Sequence, residues 1–347
     1  MTPTTNDRGT RRGWLSGNMP VSGELLTLVS VGAVALYTLV TAASRAIDRL
    51  LAIAEFYDVS EVLVGMTILA VGTSLPELSS HLIASLGILS GVLDYQTTSA
   101  VVIGGNTGSS TVQQLLLVGV LLIGYGNLDL SRTFVRESYL PMLGVFVVTM
   151  ALAWDGRISR LDGVLLLALY VVYVGIVVTR RERTQTLREP PSTNPRRDAV
   201  VATGLLVLVL LSASLMLSVI EVVIGLLDLG GSMIGIVTIG VAAALPELTA
   251  VMDAIRRRSP NVALGTLIGS NIVNPLVGIG MGGAISTYYV PPAVVLWDLP
   301  FKLVTGAGLL GWTLYVNDGK LTRTEGGYLL GLYFVFVAGR LLLFPGQ

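Results

Sequence analysis

Two glutamates of this 347-residue chain sit where an ionised group is costly. Residues 65–78 read GMTILAVGTSLPEL, and residues 235–248 read GIVTIGVAAALPEL. Both stretches are strongly apolar, and each places its glutamate directly after a proline: Pro76-Glu77 and Pro246-Glu247. A carboxylate at membrane depth marks a functional site by default. Two of them in matching repeats predict a symmetric ion site. The prolines reinforce the reading, because proline within a span lacks a backbone donor and frees carbonyls one turn earlier. Here those carbonyls fall near Ala70, Thr73, Gly240 and Ala243. Irregular backbone at that depth has to line a cavity or be buried in protein. Carboxylates, freed carbonyls and small hydroxyl or amide side chains together make an all-oxygen site, the kind hard cations such as Ca2+ and Na+ prefer. Two ionised glutamates balance one Ca2+, two Na+ or two H+. One load can therefore replace another without leaving a naked charge in the membrane.

The elements that hold such a site are membrane spans. The chain is 52% hydrophobic and 13% charged, with mean hydropathy +0.76, where soluble domains carry roughly 25% charged residues. This composition is that of a polytopic membrane protein, with the lipid bilayer and inorganic cations as its expected partners. Formal net charge is zero, so nothing points to nucleic acid, and no protein partner is implied. The chain has no Cys and a single His, His81, which excludes a disulfide framework, a thiolate metal site and a His-based metal cluster. No cofactor is expected. Residues 1–20 are polar and lack an apolar core followed by a small-residue cleavage site, so they read as a tail rather than a signal peptide.

A span needs about 20 apolar residues. Ten candidates follow: 23–43, 61–90, 98–124, 138–154, 161–179, 200–226, 232–255, 262–290, 293–316 and 325–344. The polar stretch 180–198 (RRERTQTLREPPSTNPRRD) divides them five and five, into halves 21–179 and 199–347. Five is odd, so the halves enter the membrane with opposite orientations, a common build for secondary transporters. The expected fold class is an all-α polytopic membrane protein of about ten transmembrane helices, arranged as two inverted five-helix repeats. If the 180–198 linker is cytoplasmic, fifteen of the 22 Lys and Arg share its side. That asymmetry predicts a multi-pass protein of the cell (plasma) membrane with both termini outside. The opposite loops hold Arg157 and Arg160, plus Lys302 near a span start.

Each repeat continues into a second helix. IGGNTGSSTVQQLLLVG (103–119) follows Glu77, and LGTLIGSNIVNPLVGIG (264–280) follows Glu247. Aligning Ser109 with Ser270 also matches Gly104 with Gly265, Gly108 with Gly269, Gly119 with Gly280, and polar Gln113 with polar Asn274. The paired blocks at 65–119 and 235–280 resemble the two alpha-repeats of the calcium/cation antiporter superfamily, and most closely its prokaryotic sodium/calcium exchanger-type members. The resemblance implies alternating access, with the two repeat glutamates binding Ca2+ and the counter-ion in turn. Carried onto this chain, those glutamates are Glu77 and Glu247. The implied flanking ligands are Thr73, Ser74, Ser109 and Ser270, with Gln113 and Asn274 at the last polar position of each block. Ala243 offers a backbone carbonyl.

The chain departs from the family pattern where the second Thr-Ser pair would stand. It has Ala243-Ala244 there, and Gln113 where Asn is usual. Fewer hydroxyls and two carboxylates leave room for fewer Na+ ions, or for protons as the coupling ion. His81 lies one turn after Glu77, where a proton relay would fit, but the second repeat has Val251 at the matching position. The expected function is therefore a secondary cation antiporter exchanging Ca2+ for Na+, with an H+-coupled antiporter as the alternative. A cation channel would predict a pore on an oligomer axis. An intramembrane hydrolase would need a nucleophile that nothing marks, so the chain does not read as an enzyme.

Overall fold

The computed structural model describes residues 21–57, 73–180, 192–227, 231–236, 240–257, 260–317 and 319–345. The tail 1–20, most of the linker (181–191) and the approach to the first repeat (58–72, including Ala70) lie outside the described residues. In chain order the helices are α1 (Val21–Phe56), α2 (Leu75–Leu89), α3 (Tyr95–Tyr125), α4 (Arg132–Leu152), α5 (Arg160–Arg180), α6 (Pro195–Leu227), α7 (Gly231–Gly235), α8 (Val241–Ala243), α9 (Leu245–Arg257), α10 (residues 260–286), α11 (Val294–Tyr315) and α12 (Arg323–Leu343). Eight of these described helices are long and apolar enough to cross a membrane: α1, α3, α4, α5, α6, α10, α11 and α12.

The second and seventh expected spans, which carry the glutamates, differ from the kinked helices that proline predicts. They are broken. Pro76 lies in the first turn of α2, after Ser74 at the N-cap. Pro246 lies in the first turn of α9, after a turn at Ala244 that separates α8 from α9. Proline is well placed at a helix start, where its missing N–H would lack a partner anyway and its fixed φ suits the first turn. Glu77 and Glu247 consequently sit at helix N-termini, where unpaired N–H groups and the helix dipole favour negative charge.

Segments before and after the 180–198 linker are joined crosswise. Gly119 of α3 faces Gly326 of α12, and an added Cβ on either would come within 3.0 Å of the other's carbonyl oxygen. Gly280 of α10, the match of Gly119, faces Gly163 of α5 in the same way; a Cβ on Gly163 would meet the Gly280 carbonyl at 2.6 Å. Gly163 and Gly326 each stand three residues after the arginine that opens their helix. Small residues allow helix backbones to approach this closely in a bilayer. Four short strands repeat the pattern. β1 (Leu128–Asp129) pairs antiparallel with β4 (Lys320–Leu321), and β2 (Arg157–Ile158) pairs antiparallel with β3 (Tyr288–Tyr289). The 21-residue α4 separates β1 from β2. The first half thus meets the β1/β4 ribbon and then the β2/β3 ribbon, while the second half meets them in reverse order.

The central helices α3 and α10 are largely buried, whereas α1 and α6 pack along each other and turn apolar faces outward, including Leu26, Val34 and Tyr37 on α1 and Val207, Leu211 and Leu215 on α6. Both central helices pass through a π-helical stretch, Val112–Leu117 in α3 and Asn274–Ile279 in α10. Such wide turns concentrate at functional sites. One begins a residue before Gln113 and the other at Asn274, so each falls on the last polar position of its repeat.

Candidate functional site

The elements α2, α3, α9 and α10 bring the polar residues of both repeats together in the interior. Glu77 and Glu247 are 1% and 0% exposed. Each glutamate is held by the serine of its own repeat. Ser109 Oγ donates to Glu77 Oε1 at 2.6 Å, and Ser270 Oγ donates to Glu247 Oε1 at 3.1 Å. Each is also held by the amide of the opposite repeat. Asn274 Nδ2 donates to Glu77 Oε1 at 3.2 Å, and Gln113 Nε2 donates to Glu247 Oε1 at 3.3 Å. Gln113 Nε2 also lies 3.2 Å from Ser109 Oγ, and the Thr73 and Ser270 hydroxyls are 3.1 Å apart. The eight side chains named from sequence thus include seven joined in one network: Thr73, Glu77, Ser109, Gln113, Glu247, Ser270 and Asn274. Ser74 is fully buried at the α2 N-cap without a side-chain capping bond. Ala243 ends α8, and its methyl and that of Ala244 are buried in the apolar core.

The network uses one oxygen of each carboxylate. Glu77 Oε2, Glu247 Oε2, Asn274 Oδ1 and Asn271 Oδ1 are buried and have no hydrogen-bond partner among the described residues; Ser74 Oγ, outside the network, is unpaired as well. Leaving a buried acceptor unpaired costs about 1–3 kcal/mol, so a cluster of them in one network points to a ligand. Every atom in the set is an oxygen, which is what a hard cation takes. No group of three or more His, Asp or Glu that could hold a metal ion occurs among the described residues.

Residues 27–179 and 199–342 match the sodium/calcium exchanger protein family. The chain belongs to that family. Among curated relatives it is 26% identical over 318 residues to the inner membrane protein YrbG of Escherichia coli, covering 88% of this chain and 94% of that protein. It is 26% identical to the sodium/calcium exchanger MaX1 of Methanosarcina acetivorans, covering 82% of this chain and 90% of MaX1. Among solved structures, the H+/Ca2+ exchanger CAX superposes with a TM-score of 0.70 at 15% identity, covering 93% of this chain and 88% of CAX. The sodium-calcium exchanger NCX_Mj superposes with a TM-score of 0.61 at 23% identity, covering 90% of this chain and 99% of NCX_Mj. At these identities the superpositions establish the shared fold of polytopic exchangers and nothing finer.

Two residues of this exchanger-family chain join the network without having been singled out from sequence. Asn271 Nδ2 donates to Gln113 Oε1 at 3.0 Å, which orients the Gln113 amide toward Glu247. Its position beside Ser270 is visible in the motif, but its match in the first repeat is Ser110, so the two repeats do not carry the same amide there. Asn106 is the other. Its Nδ2 donates to the Asn274 backbone carbonyl at 2.8 Å and lies 3.1 Å from His81 Nε2. That amide has to face the carbonyl with its N–H2, so His81 Nε2 accepts. The His81 proton then sits on Nδ1, 3.2 Å from Tyr288 Oη, and the Tyr288 hydroxyl donates to the His81 carbonyl at 3.0 Å. All polar positions of the ring are occupied in the neutral form. His81 is knit into the wall behind Asn274, and its side-chain hydrogen bonds run to Tyr288 and Asn106 rather than to either glutamate.

Proposed function

We propose that this chain is a secondary active antiporter that exchanges Ca2+ for Na+ by alternating access, with Glu77 and Glu247 forming one ion site used by the competing ions in turn. The observation that carries the reading is the set of buried, unpartnered oxygens on two carboxylates and their amide neighbours. Thr73, Ser74, Ser109, Gln113, Ser270, Asn274 and the Ala243 carbonyl complete the proposed ligand set. Ca2+ occupancy neutralises both carboxylates and excludes the monovalent load, which is the condition for coupled exchange. The crosswise glycine contacts and strand pairs support two inverted five-helix halves, 21–179 and 199–347, with α2 and the α7–α9 segment as the interrupted second and seventh spans. The family match also falls in two parts either side of 180–198. We place the linker in the cytoplasm and both termini outside, in the cell membrane. Alternating access then follows from rocking of the α1/α6 pair, which packs on α2 beside the site.

A proton-coupled version has its own support. The second repeat carries Ala243 and Ala244, with buried methyl groups, at the positions where the first offers the hydroxyls of Thr73 and Ser74. Loss of hydroxyl ligands weakens a Na+ site more than a proton site, since a proton needs only the carboxylate. Uptake of radioactive Ca2+ into proteoliposomes, driven separately by outward Na+ and outward H+ gradients, distinguishes the two. Na+-driven uptake is expected. H+-driven uptake with no response to Na+ would establish the alternative, and uptake under neither gradient would overturn the antiporter reading.

The cross-repeat amides give a further expected outcome. Asn274→Ala removes a donor to Glu77 and an unpartnered oxygen at once. A hydrogen bond to a charged group is worth about 1.5–3 kcal/mol, so the Ca2+ KM should rise by at least about tenfold. Gln113→Ala should act similarly through Glu247, and unchanged KM values in both would remove the amides from the site.

A further inference from the structure

A second charged cluster lies in the interior, and the ion-site hydrogen bonds use none of its members. Asp298 and Lys302 stand one turn apart on α11, Arg340 comes from α12, and all three are at most 2% exposed. Arg340 Nε is 3.2 Å from Asp298 Oδ1, and Lys302 Nζ lies 4.3 Å from the centre of the Phe146 ring of α4. Lys302 therefore differs from its sequence reading as a cation near a span start. A buried ion pair is weak support for stability in itself, because desolvation offsets much of the attraction. What distinguishes this one is where Arg340 reaches. Its Nη2 donates to Ser232 Oγ at 2.9 Å, on the short helix α7 that leads into the second repeat.

The way α7 lies on α3 explains what such a tie would do. The contact is backbone against backbone. An added Cβ on Gly104 would meet the Ser232 carbonyl at 2.2 Å, and one on Gly235 would meet the Val101 carbonyl at 2.1 Å. One on Gly108 would come within 2.7 Å of Ile236 Cα, and one on Gly240 within 2.8 Å of the Ser109 nitrogen. Glycine faces set how closely two segments approach, but offer no side chain to stop sliding. The glycines also recur at four-residue spacing on both partners (104 and 108; 231 and 235). A slip of one helical turn, about 5.4 Å, would present a similar surface again.

We propose that Arg340, aligned by Asp298, is a positioning residue that fixes the register of α7 on α3 and so sets where Ala243 and Glu247 stand relative to Ser270 and Gln113. The functional consequence rests on the antiporter reading; the register itself does not. The test uses both. The chain has no Cys, so an engineered pair reports register cleanly. A Cβ at Gly231 would lie 3.4 Å from the Ala100 Cβ, close to the disulfide spacing of about 3.5–4.5 Å. The full-length Ala100→Cys/Gly231→Cys protein is expected to cross-link on mild oxidation, and adding Arg340→Met is expected to slow that cross-linking about twofold, because losing one hydrogen bond to a charged group shifts the register equilibrium about tenfold and so lowers the in-register share from about nine-tenths to about half. In the parent protein, Ser232→Ala should raise the Ca2+ KM by a similar factor while Vmax holds, and Ser232→Thr should restore it. Combining Ser232→Ala with Arg340→Met should add nothing to Arg340→Met alone, as expected for two ends of one interaction. An unchanged cross-linking rate, or a loss of folded protein with KM intact, would overturn the proposal. Absence of Ca2+ uptake by the parent protein would fail the antiporter reading instead, and the cross-linking rate would still decide the register.

Discussion

Glu77→Gln and Glu247→Gln are each expected to lower Ca2+ exchange by about a hundredfold or more, because each leaves the bound divalent ion with one uncompensated charge at membrane depth, a cost of about 2.5–3.5 kcal/mol. Glutamine keeps the size of glutamate and an oxygen in the Oε1 role, so it still accepts from Ser109 and Asn274, or from Ser270 and Gln113. The fold should therefore persist, and a monodisperse size-exclusion profile for both variants would establish that the loss is of charge. The two losses should be comparable, since the carboxylates are equivalent in burial and in the pattern of their partners. Radioactive Ca2+ uptake measures this directly. A variant that keeps more than a tenth of parental uptake would show that its carboxylate is not counted in the transported complex.

The second large effect concerns voltage. Two carboxylates carry two negative charges, matched by one Ca2+ or by two monovalent cations, and the ligands around them are neutral amides and hydroxyls. Exchange is therefore expected to be electroneutral. Each uncompensated charge crossing the membrane per cycle is worth about 2.3 kcal/mol per 100 mV, which would shift the Ca2+ gradient at equilibrium about fiftyfold. Proteoliposomes clamped with valinomycin at zero and at an inside-negative potential should thus accumulate Ca2+ to the same level. A shift approaching fiftyfold would mean that a third monovalent ion binds despite Ala243 and Ala244. If it does not, Ala243→Thr with Ala244→Ser supplies the missing hydroxyls, and voltage dependence appearing in that variant would tie the stoichiometry to those two positions.

Much of this site was legible from residue type alone. Polar residues inside apolar spans stand out, and duplication assigned Ser109 to Ser270 and Gln113 to Asn274. Partner choice was not legible. That Asn274 serves Glu77 while Gln113 serves Glu247 follows from how the halves interleave, which no spacing within one half encodes. The helix breaks were half visible. Pro76 and Pro246 announced an irregularity, but only the three-dimensional arrangement shows that helices start there and place both glutamates in a first turn. The Asp298, Lys302 and Arg340 cluster escaped because α11 and α12 read as ordinary terminal spans. Charges close to a span end pass for interfacial ones, and whether such a side chain turns inward depends on a partner from another helix. The eight long helices were readable by hydropathy, since length and apolar content are all that crossing requires.

The crosswise glycine contacts bear on how the chain is made. The face of α5 around Gly163 belongs against α10, and the face of α3 around Gly119 belongs against α12. Both partners are synthesised after the first half is complete. A nascent chain that has emerged only as far as the linker therefore holds two grooved helix faces against lipid, with neither able to find its mate. The contact between Gly119 and Gly326 can therefore form only after α12 has been made, more than two hundred residues after its partner face.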